Sequence, residues 1–349
     1  MLLLVVQTKK RMTMIRYHFL FYSFLICMSG LYLNADQSPV HAAPLEKDNQ
    51  RIAAYSAMIA RYYDMNENEQ IKDITESVLA EPTTPNNVKE AIRANQRHIY
   101  VFKYPSDGLM VKGFISLTPE SQNYPLLVLF RGGNRDFGLP NPADRLVNYQ
   151  HYAVISSTLR DGINAGRDEF GGADVNDMKN LIEFIPTLEK KLLIKLQTHS
   201  LDFLGISRGG MEMFLTLSRY PELQNRVNRV ISLSGLLDLR RQMLDRPEMK
   251  EMFEEDFGLQ NGNEEEWIQQ RTPLMTISHL KKCLPVLIVQ GTADSRINLA
   301  EGYEMVRQLH DTGHAVDYWE IEGGNHILSN HPQPMDLITY WLKTAHSSC

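Results

Sequence analysis

The feature that most constrains the fold of this chain is the stretch 200–211, in which a short strand pattern meets a helix pattern. The residues before Ser207 form a mostly apolar run, as expected for a buried parallel strand. After it, apolar residues recur at helical spacing until Pro221 ends the helix. Between the two lies Gly205-x-Ser207-x-Gly209, the G-x-S-x-G pattern of a nucleophile elbow.

The elbow has a physical rationale at each of its positions. A turn this tight holds its central residue in a strained backbone conformation. Side chains at the flanking positions would collide with neighbouring backbone, which explains the glycines. Ser207 then projects over the sheet at the N-terminus of a helix, where the N–H of Arg208 can stabilise a developing oxyanion. We interpret Ser207 as a nucleophile; the alternative is a chance match to a short pattern.

The rest of the chain alternates between strand and helix patterns. Further buried strands are predicted at 124–130, 152–159, 227–233, 284–289 and 316–321, with amphipathic helices at 175–188, 299–310 and 336–344. This alternation predicts an α/β fold with a mostly parallel sheet and helices on both faces. Residues 238–282 interrupt it with helix-like sequence and are interpreted as a short helical lid insertion. The Met and Phe residues there either face a substrate or pack inward.

The first 35 residues are predicted to be a signal peptide. Basic residues precede an apolar run at 17–33, and small residues follow it; the basic residues are Lys9, Lys10, Arg11 and Arg16. Cleavage is expected after Ala35 or as late as Ala42, and translation starts at Met1, Met12 or Met14. The alternative is an uncleaved anchor helix at 17–33. We therefore expect an exported protein, periplasmic or secreted.

Residues 36–96 are predicted to form a helical N-terminal extension, and residues 97–349 a catalytic domain that carries the lid. Apolar stripes at 52–62 and 71–79, followed by a short helix at 87–95, support the extension. It either packs on the main domain and shapes the approach to its site, or forms an independent binding module. The catalytic domain begins with strands at 98–104 and 109–117, joined by an Asp-Gly turn.

Composition and charge restrict the partners. The net charge is −6 and no basic block is present, so no nucleic-acid partner is expected. No P-loop, dinucleotide fingerprint or zinc-ligand spacing occurs, so neither a cofactor nor a metal is expected. Cys283 either pairs with Cys349 in an oxidising compartment or begins a buried strand as a small apolar residue. The sequence leaves the oligomeric state open.

Two strand ends offer partners for the serine, which needs a base and an acid that orients it. The predicted strand 284–289 leads into a loop with Asp294, and the strand 316–321 leads into glycines followed by His326. Sites in open α/β sheets form at the carboxyl ends of strands, and the order Ser, Asp, His is the one this arrangement uses. Asp238 is the rival acid, while His310, His314 and His331 are weaker candidates for the base.

The loop after the predicted strand 124–130 reads Arg131-Gly132-Gly133-Asn134. Its position suits the second donor of an oxyanion hole, and Gly132 or Gly133 can present an unobstructed N–H. The alternative is a structural glycine turn.

These motifs resemble the α/β-hydrolase superfamily and, within it, the catalytic domain of the prolyl oligopeptidase family of serine peptidases. The likeness runs from about residue 124 to the end of the chain. It is carried by Gly205-Ile206-Ser207-Arg208-Gly209-Gly210, Phe170–Asp177, Arg271-Thr272-Pro273-Leu274, Gln290–Ile297 and Gly324-Asn325-His326. The resemblance implies a triad of Ser207 as nucleophile, His326 as base and Asp294 as its orienting acid.

The chain departs from that family in two places. Family peptidases place a β-propeller before the catalytic domain, and the sequence between signal and hydrolase is too short for one. Many members also use a tyrosine hydroxyl before the loop glycine as an oxyanion donor. This chain has Arg131 there, whose guanidinium either contacts the oxyanion or a substrate carboxylate or faces away. We therefore expect an exported serine hydrolase acting on short peptides. The alternatives are a carboxylesterase acting on small esters and a catalytically silent binding protein.

Overall fold

The computed structural model describes residues 2–8, 11–16, 43–123, 125–144, 152–331 and 333–344. Within them, eleven strands form one sheet, and ten helices accompany it. The strands are β1 (Leu2–Thr8), β2 (Arg11–Arg16), β3 (Ile71–Asp73), β4 (His98–Ser106), β5 (Leu109–Leu117), β6 (Pro125–Phe130), β7 (Val154–Ser157), β8 (Gln197–Ile206), β9 (Val227–Leu233), β10 (Val286–Gly291) and β11 (Val316–Ile321). The helices are α1 (Ala43–Tyr62), α2 (Thr75–Ala80), α3 (Asn86–Ala94), α4 (Val175–Leu192), α5 (Arg208–Arg219), α6 (Leu239–Asp245), α7 (Pro247–Asp256), α8 (Glu264–Arg271), α9 (Leu299–Asp311) and α10 (Gln333–Thr344).

The sheet is mostly parallel, as predicted. Its strand order is β2-β1-β11-β10-β9-β8-β6-β7-β5-β4-β3. The run from β11 to β7 is parallel throughout, and antiparallel strands flank it on both sides. The carboxyl ends of β6, β8, β10 and β11 therefore meet along one edge of the sheet, where the candidate residues follow them.

Helices cover both faces of the sheet, also as predicted. One face packs its apolar side chains against α4, α5 and α9. The other face packs against α1, α2, α3 and α10. Side chains alternate between the two layers along each central strand: Phe203 of β8 lies in the first and Leu204 in the second. The N-terminal extension is thus part of the main core.

One prediction for that extension is wrong. The apolar stripe at 71–79 was expected to be a single helix, but Ile71–Asp73 forms strand β3, antiparallel to β4, and only Thr75–Ala80 is helical. The Asp73 carboxylate accepts hydrogen bonds from the N–H and the hydroxyl of Thr75, at 2.8 and 2.6 Å. These bonds stop the strand and start a new turn, because a short polar side chain can compete with the regular backbone ladder.

Residues 238–282, the cap segment, hold α6, α7 and α8 between β9 and β10. The two alternatives for its Met and Phe residues apply to different positions. Phe253 and Phe257 are buried in a separate apolar cluster, where Phe253 lies 4.9 Å from Phe170 and 5.0 Å from Trp267 between ring centroids. Met249 and Met252 instead line the large cleft described below.

A buried carboxyl attaches the start of the cap segment to α9. Glu301 is 1% exposed, and its Oε2 accepts the N–H groups of Leu237 and Asp238, both at 2.9 Å. Burial, aided by the charges of Asp238 and Asp245, raises the pKa of Glu301 to about 8. The folded protein therefore retains a proton that the unfolded chain releases near the ordinary pKa of glutamate.

This raised pKa gives the free energy of unfolding a defined pH dependence. The contribution of Glu301 is fully present below the unfolded pKa and is lost as pH rises through about 8. Glu301→Gln should therefore become more stable relative to wild type as pH is raised from about 5 to about 9. Urea unfolding of both proteins across this range measures the difference, and parallel stability curves would contradict it.

Two predictions lie outside the described residues. The apolar run at 17–33 and both possible cleavage sites belong to undescribed parts of the chain. Strands β1 and β2 hold residues before that run; β1 pairs with β11, and β2 pairs with β1. Cys283 is disulfide-bonded, and neither of the other two cysteines is among the described residues. No described helix has the length and apolar character needed to span a bilayer.

Candidate active site

The turn between β8 and α5 has the geometry of a nucleophile elbow. Ser207 has φ +55° and ψ −125°, a conformation that L residues rarely adopt. A Cβ on Gly205 would lie 2.4 Å from the Gly209 carbonyl oxygen, and one on Gly209 would lie 2.0 Å from the Phe130 oxygen. Only glycine fits at either position, which explains the spacing seen in the sequence.

The structure brings together the three residues predicted to form the triad. His326 Nε2 lies 2.9 Å from Ser207 Oγ, and His326 Nδ1 lies 3.0 and 2.9 Å from the two oxygens of Asp294. A carboxylate can only accept, so Nδ1 carries the proton that faces Asp294. In the neutral ring Nε2 is then an acceptor, correctly placed to take the hydroxyl proton of Ser207.

Asp294 is held as an anion beside the imidazole. Its side chain is fully buried, and burial alone would raise the pKa of this carboxyl. The hydrogen bond and charge of His326, with the N–H groups of Ile297 and Arg296, outweigh burial and lower the pKa of Asp294. Both N–H groups donate to Oδ1, at 3.0 and 2.8 Å. The carboxylate therefore stays ionised and fixed in orientation.

The rival residues take other roles. Asp238 caps α6 by accepting the N–H of Arg241. His314 is buried against Thr312 and the Leu280 carbonyl, and His310 contacts Asp311 on the surface. None of these side chains bonds to Ser207 in the part of the chain that the structure describes.

Backbone donors for an oxyanion lie next to Ser207. A Cβ added to Gly132 would lie 3.1 Å from Ser207 Cβ and 3.7 Å from its Oγ, so the loop after β6 touches the elbow. The N–H groups of Arg208, Gly132 and Gly133 have no acceptor among the described residues. They remain available to a bound group, and their role as oxyanion donors stays a prediction.

The expectation that Arg131 contacts a substrate is wrong. Its side chain is only 4% exposed, and its guanidinium donates to backbone carbonyls of Gly132, Arg135, Phe137 and Thr158. A planar group with five N–H donors is satisfied by such a ring of acceptors. Arg131 therefore stabilises the conformation of the loop.

The side chain of Arg208 forms a buried ionic cluster that the sequence analysis missed. It is 2% exposed and bonds Asp168 at 2.6 and 2.7 Å, Asp174 at 2.7 Å and Glu212 at 3.0 Å, while it stacks 4.4 Å from the Phe170 ring centroid. Burial disfavours the charge, but Asp168, Glu212 and Asp174 raise the pKa of Arg208 well above its usual value. Asp174 was visible only as part of the resemblance motif 170–177.

The carboxyls of this cluster share one cation unequally. Burial and the charge of Asp174 raise the pKa of Glu212 well above its usual value. Burial opposes ionisation of Asp174 too, but the charge of Arg208 and a hydrogen bond from Glu212 lower the pKa of Asp174 below its ordinary range. The cluster joins the elbow helix, which begins at Arg208 directly after Ser207, to the 168–174 loop.

Removing the cation should destabilise the fold strongly. We expect Arg208→Met to lower the free energy of unfolding by about 3–5 kcal/mol, because Asp168 and Asp174 would be buried without a counter-ion. Arg241→Met, which breaks the solvent-exposed pair with Asp245, is the control and should cost about 1 kcal/mol or less. Urea unfolding at neutral pH measures both. Equal, small losses would contradict the assignment.

A cleft of about 1110 Å³ opens over Ser207 and His326. Three parts of the chain wall it in addition to the loops of the triad: the N-terminal extension, the 131–144 loop and the cap segment. Their contributions are Tyr55, Met58, Tyr62, Thr83, Thr84, Pro85, Asn87 and Val88 from the first, Phe137, Leu139 and Pro140 from the second, and Gln242, Arg246, Met249 and Met252 from the third. Among the described residues, no three His, Cys, Asp or Glu side chains are grouped to hold a metal ion.

The fold and the elbow together define a serine hydrolase of the α/β-hydrolase fold. The model of the prolyl oligopeptidase family, Peptidase_S9, matches residues 164–347. The chain therefore belongs to the prolyl oligopeptidase family. It is 23% identical to the uncharacterized peptidase YtmA of Bacillus subtilis (strain 168) over 253 residues, which cover 70% of this chain and 93% of that protein.

Two solved structures illustrate the range of this fold. The acylaminoacyl peptidase of Pyrococcus horikoshii matches with a TM-score of 0.58 at 19% identity, over 71% of this chain and 41% of that chain. The thermophilic carboxylesterase EstE1, cloned from a metagenomic library, matches with a TM-score of 0.57 at 14% identity, over 86% of this chain and 96% of that chain. The chain thus spans about two fifths of the peptidase and nearly all of the esterase.

Proposed function

We propose that the chain is an exported serine hydrolase that cleaves short peptides through an acyl-enzyme intermediate. The observation that carries the proposal is the continuous hydrogen-bonded series from Asp294 through His326 to Ser207, with 2.9 Å between His326 Nε2 and Ser207 Oγ. This is the geometry in which a weak hydroxyl nucleophile is activated by a neighbouring base.

The steps follow from the positions of the atoms. Ser207 Oγ bonds to the substrate carbonyl carbon while its proton passes to His326 Nε2, and Asp294 stabilises the charged imidazole. The N–H of Arg208 and an N–H of the Gly132–Gly133 loop stabilise the oxyanion. His326 then protonates the leaving group. A water molecule attacks the acyl-enzyme by the same route in reverse and restores the serine.

The walls of the cleft support a short substrate. The N-terminal extension lies on the face of the sheet that also carries α10, and residues of α1 and α3 border the cleft with apolar and hydroxyl side chains. A cleft closed on this side by helices admits a chain of a few residues more readily than a folded protein. In this position the extension screens substrates by size.

A carboxylesterase is the second candidate. EstE1, whose name gives it that activity, aligns over nearly its whole length, whereas the peptidase structure aligns over less than half of its own. Ester hydrolysis also has the better leaving group. The experiment that separates the two is a panel of short peptide amides and matched short-chain esters, assayed with the purified protein and with Ser207→Ala. Ser207-dependent amide turnover supports the peptidase, and ester turnover alone supports the esterase.

Export is part of the same proposal. It is supported by the basic and apolar pattern of the first 35 residues and by the disulfide at Cys283, which is stable in oxidising compartments. Removal of those residues would also remove β1 and β2, and would make the net charge more negative, from −6 to −10, because four basic residues are lost. N-terminal sequencing of the protein from fractionated cells tests this: an exported mature form starting near residue 36 or 43 is expected, and an intact cytosolic chain would refute it.

A further inference from the structure

Arg131, the first residue after β6, fixes the conformation of the loop that follows by donating hydrogen bonds to its backbone carbonyls. Arg131 Nε donates to the Gly132 carbonyl at 3.0 Å, and its Nη1 donates to the carbonyls of Arg135 at 2.9 Å and Thr158 at 2.7 Å. No carboxylate forms an ion pair with Arg131 in the described part of the chain. A buried cation is costly unless it is fully hydrogen-bonded, so these carbonyls are held firmly toward it.

Fixing the Gly132 carbonyl also fixes the next N–H. A peptide unit is planar and trans, so the carbonyl of Gly132 and the N–H of Gly133 point in opposite directions. The carbonyl points to the buried guanidinium, and Gly132 and Gly133 both border the cleft beside Ser207. The N–H of Gly133 therefore points away from the guanidinium.

We infer that Arg131 is a positioning residue of the oxyanion hole: by holding the Gly132 carbonyl it aims the N–H of Gly133 at the oxyanion. This inference rests on the proposed function and selects Gly133 over Gly132 as the second donor. It also gives a role to an arginine at the place where the family resemblance leads one to expect a tyrosine hydroxyl. In this chain the oxyanion donor is the backbone N–H of Gly133, and the Arg131 side chain acts by orienting that N–H.

The first test compares Arg131→Lys with Arg97→Lys. Arg97 is a matched control because it is also buried, at 1% exposure, and lies outside the cleft lining. Its guanidinium donates to the Ser116 hydroxyl and the Tyr152 carbonyl. Burial lowers the pKa of both guanidiniums, those of Arg97 and Arg131, to about 10. For Arg131→Lys we expect kcat per titrated active site to fall on the order of 10²-fold, with KM changed by less than about threefold. Affinity for a boronic-acid transition-state analogue should fall in parallel with kcat/KM. Arg97→Lys should reduce only the yield or stability of folded enzyme.

The second test displaces the Gly132 carbonyl by a substitution at a neighbouring glycine and leaves Arg131 unchanged. A Cβ on Gly138, at φ +77°, would lie 2.6 Å from the Gly132 oxygen, whereas a Cβ on Gly108, at φ +79°, would meet nothing within 4 Å. Gly138→Ala and Gly108→Ala therefore carry the same backbone strain, and only the first displaces the Gly132 carbonyl. Gly138→Ala should show the same loss of kcat and of analogue affinity at nearly constant KM, while Gly108→Ala should match wild type.

The outcomes separate this inference from the proposed function. If the wild-type protein neither reacts with a fluorophosphonate nor turns over substrate, both the proposed function and this inference are refuted. A wild-type enzyme that does both, with kcat per titrated site and analogue affinity unchanged in Arg131→Lys and in Gly138→Ala, would overturn the inference alone. If Arg131→Lys does not fold, the Gly138→Ala and Gly108→Ala pair decides by the same criterion.

Discussion

Ser207→Ala is expected to lower kcat by roughly 10⁶-fold on any peptide or ester that the wild-type protein hydrolyses. In the proposed mechanism the Ser207 side chain supplies the oxygen that attacks the carbonyl, and no other described hydroxyl bonds to His326. The residual rate should be that of water attack aided by the oxyanion donors and by binding. Steady-state rates with purified enzyme measure the loss, and circular dichroism checks that the fold is retained.

Ser234→Ala is a close control for this substitution. Ser234 also has a positive φ, +47°, follows the neighbouring strand β9, and is buried with no hydrogen-bond partner for its hydroxyl among the described residues. Loss of its oxygen should leave kcat near the wild-type value. Similar losses in the two variants would mean that activity depends on the packing of the strand ends and that Ser207 is not the nucleophile.

Asp294→Asn is expected to lower kcat by roughly 10⁴-fold, the second largest effect. The N–H groups of Arg296 and Ile297 hold Oδ1, so an asparagine would keep its oxygen there and turn its amide NH₂ toward His326 Nδ1. Nδ1 would become an acceptor and Nε2 would carry the proton. The imidazole then cannot accept the proton of Ser207, although every side chain keeps its place.

The imidazole tautomer is the measurable intermediate in this argument. Nuclear magnetic resonance of ¹⁵N-labelled histidine should show protonated Nδ1 in wild type and protonated Nε2 in Asp294→Asn. A large loss of activity without this change of tautomer would mean that Asp294 acts by maintaining the conformation of its loop. Full activity in Asp294→Asn would remove the residue from the mechanism.

The arrangement of the triad could be predicted from the sequence because it depends on local rules. Ser207, Asp294 and His326 each follow a strand that is recognisable from its apolar run, and parallel strands bring such ends to one edge of the sheet. Strand β9 and strand β11 have the predicted bounds for the same reason. Glycine spacing supplied the remaining information at the elbow.

What the sequence could not provide was the direction of long side chains. Arg131 and Arg208 lie in recognisable motifs, but the directions of their side chains are seen only in the structure. Arg131 donates hydrogen bonds to backbone carbonyls, and Arg208 pairs with two carboxylates. Strand β3 was missed because three residues are too few for a period to be measured, and its partner β4 is distant in sequence. The sequence left open whether the N-terminal extension packs on the main domain or forms a separate module, because that choice depends on contacts between distant segments.

The central claim is that Ser207 is a nucleophile activated by His326, and covalent labelling tests it most directly. The purified protein is incubated with a fluorophosphonate, its intact mass is measured, and the modified residue is located by peptide mass spectrometry. We predict one phosphonyl group per chain, on Ser207, with no adduct in Ser207→Ala and much slower labelling in His326→Ala. An unmodified wild-type protein, or modification at another serine, would contradict the account and favour a binding protein with a hydrolase fold.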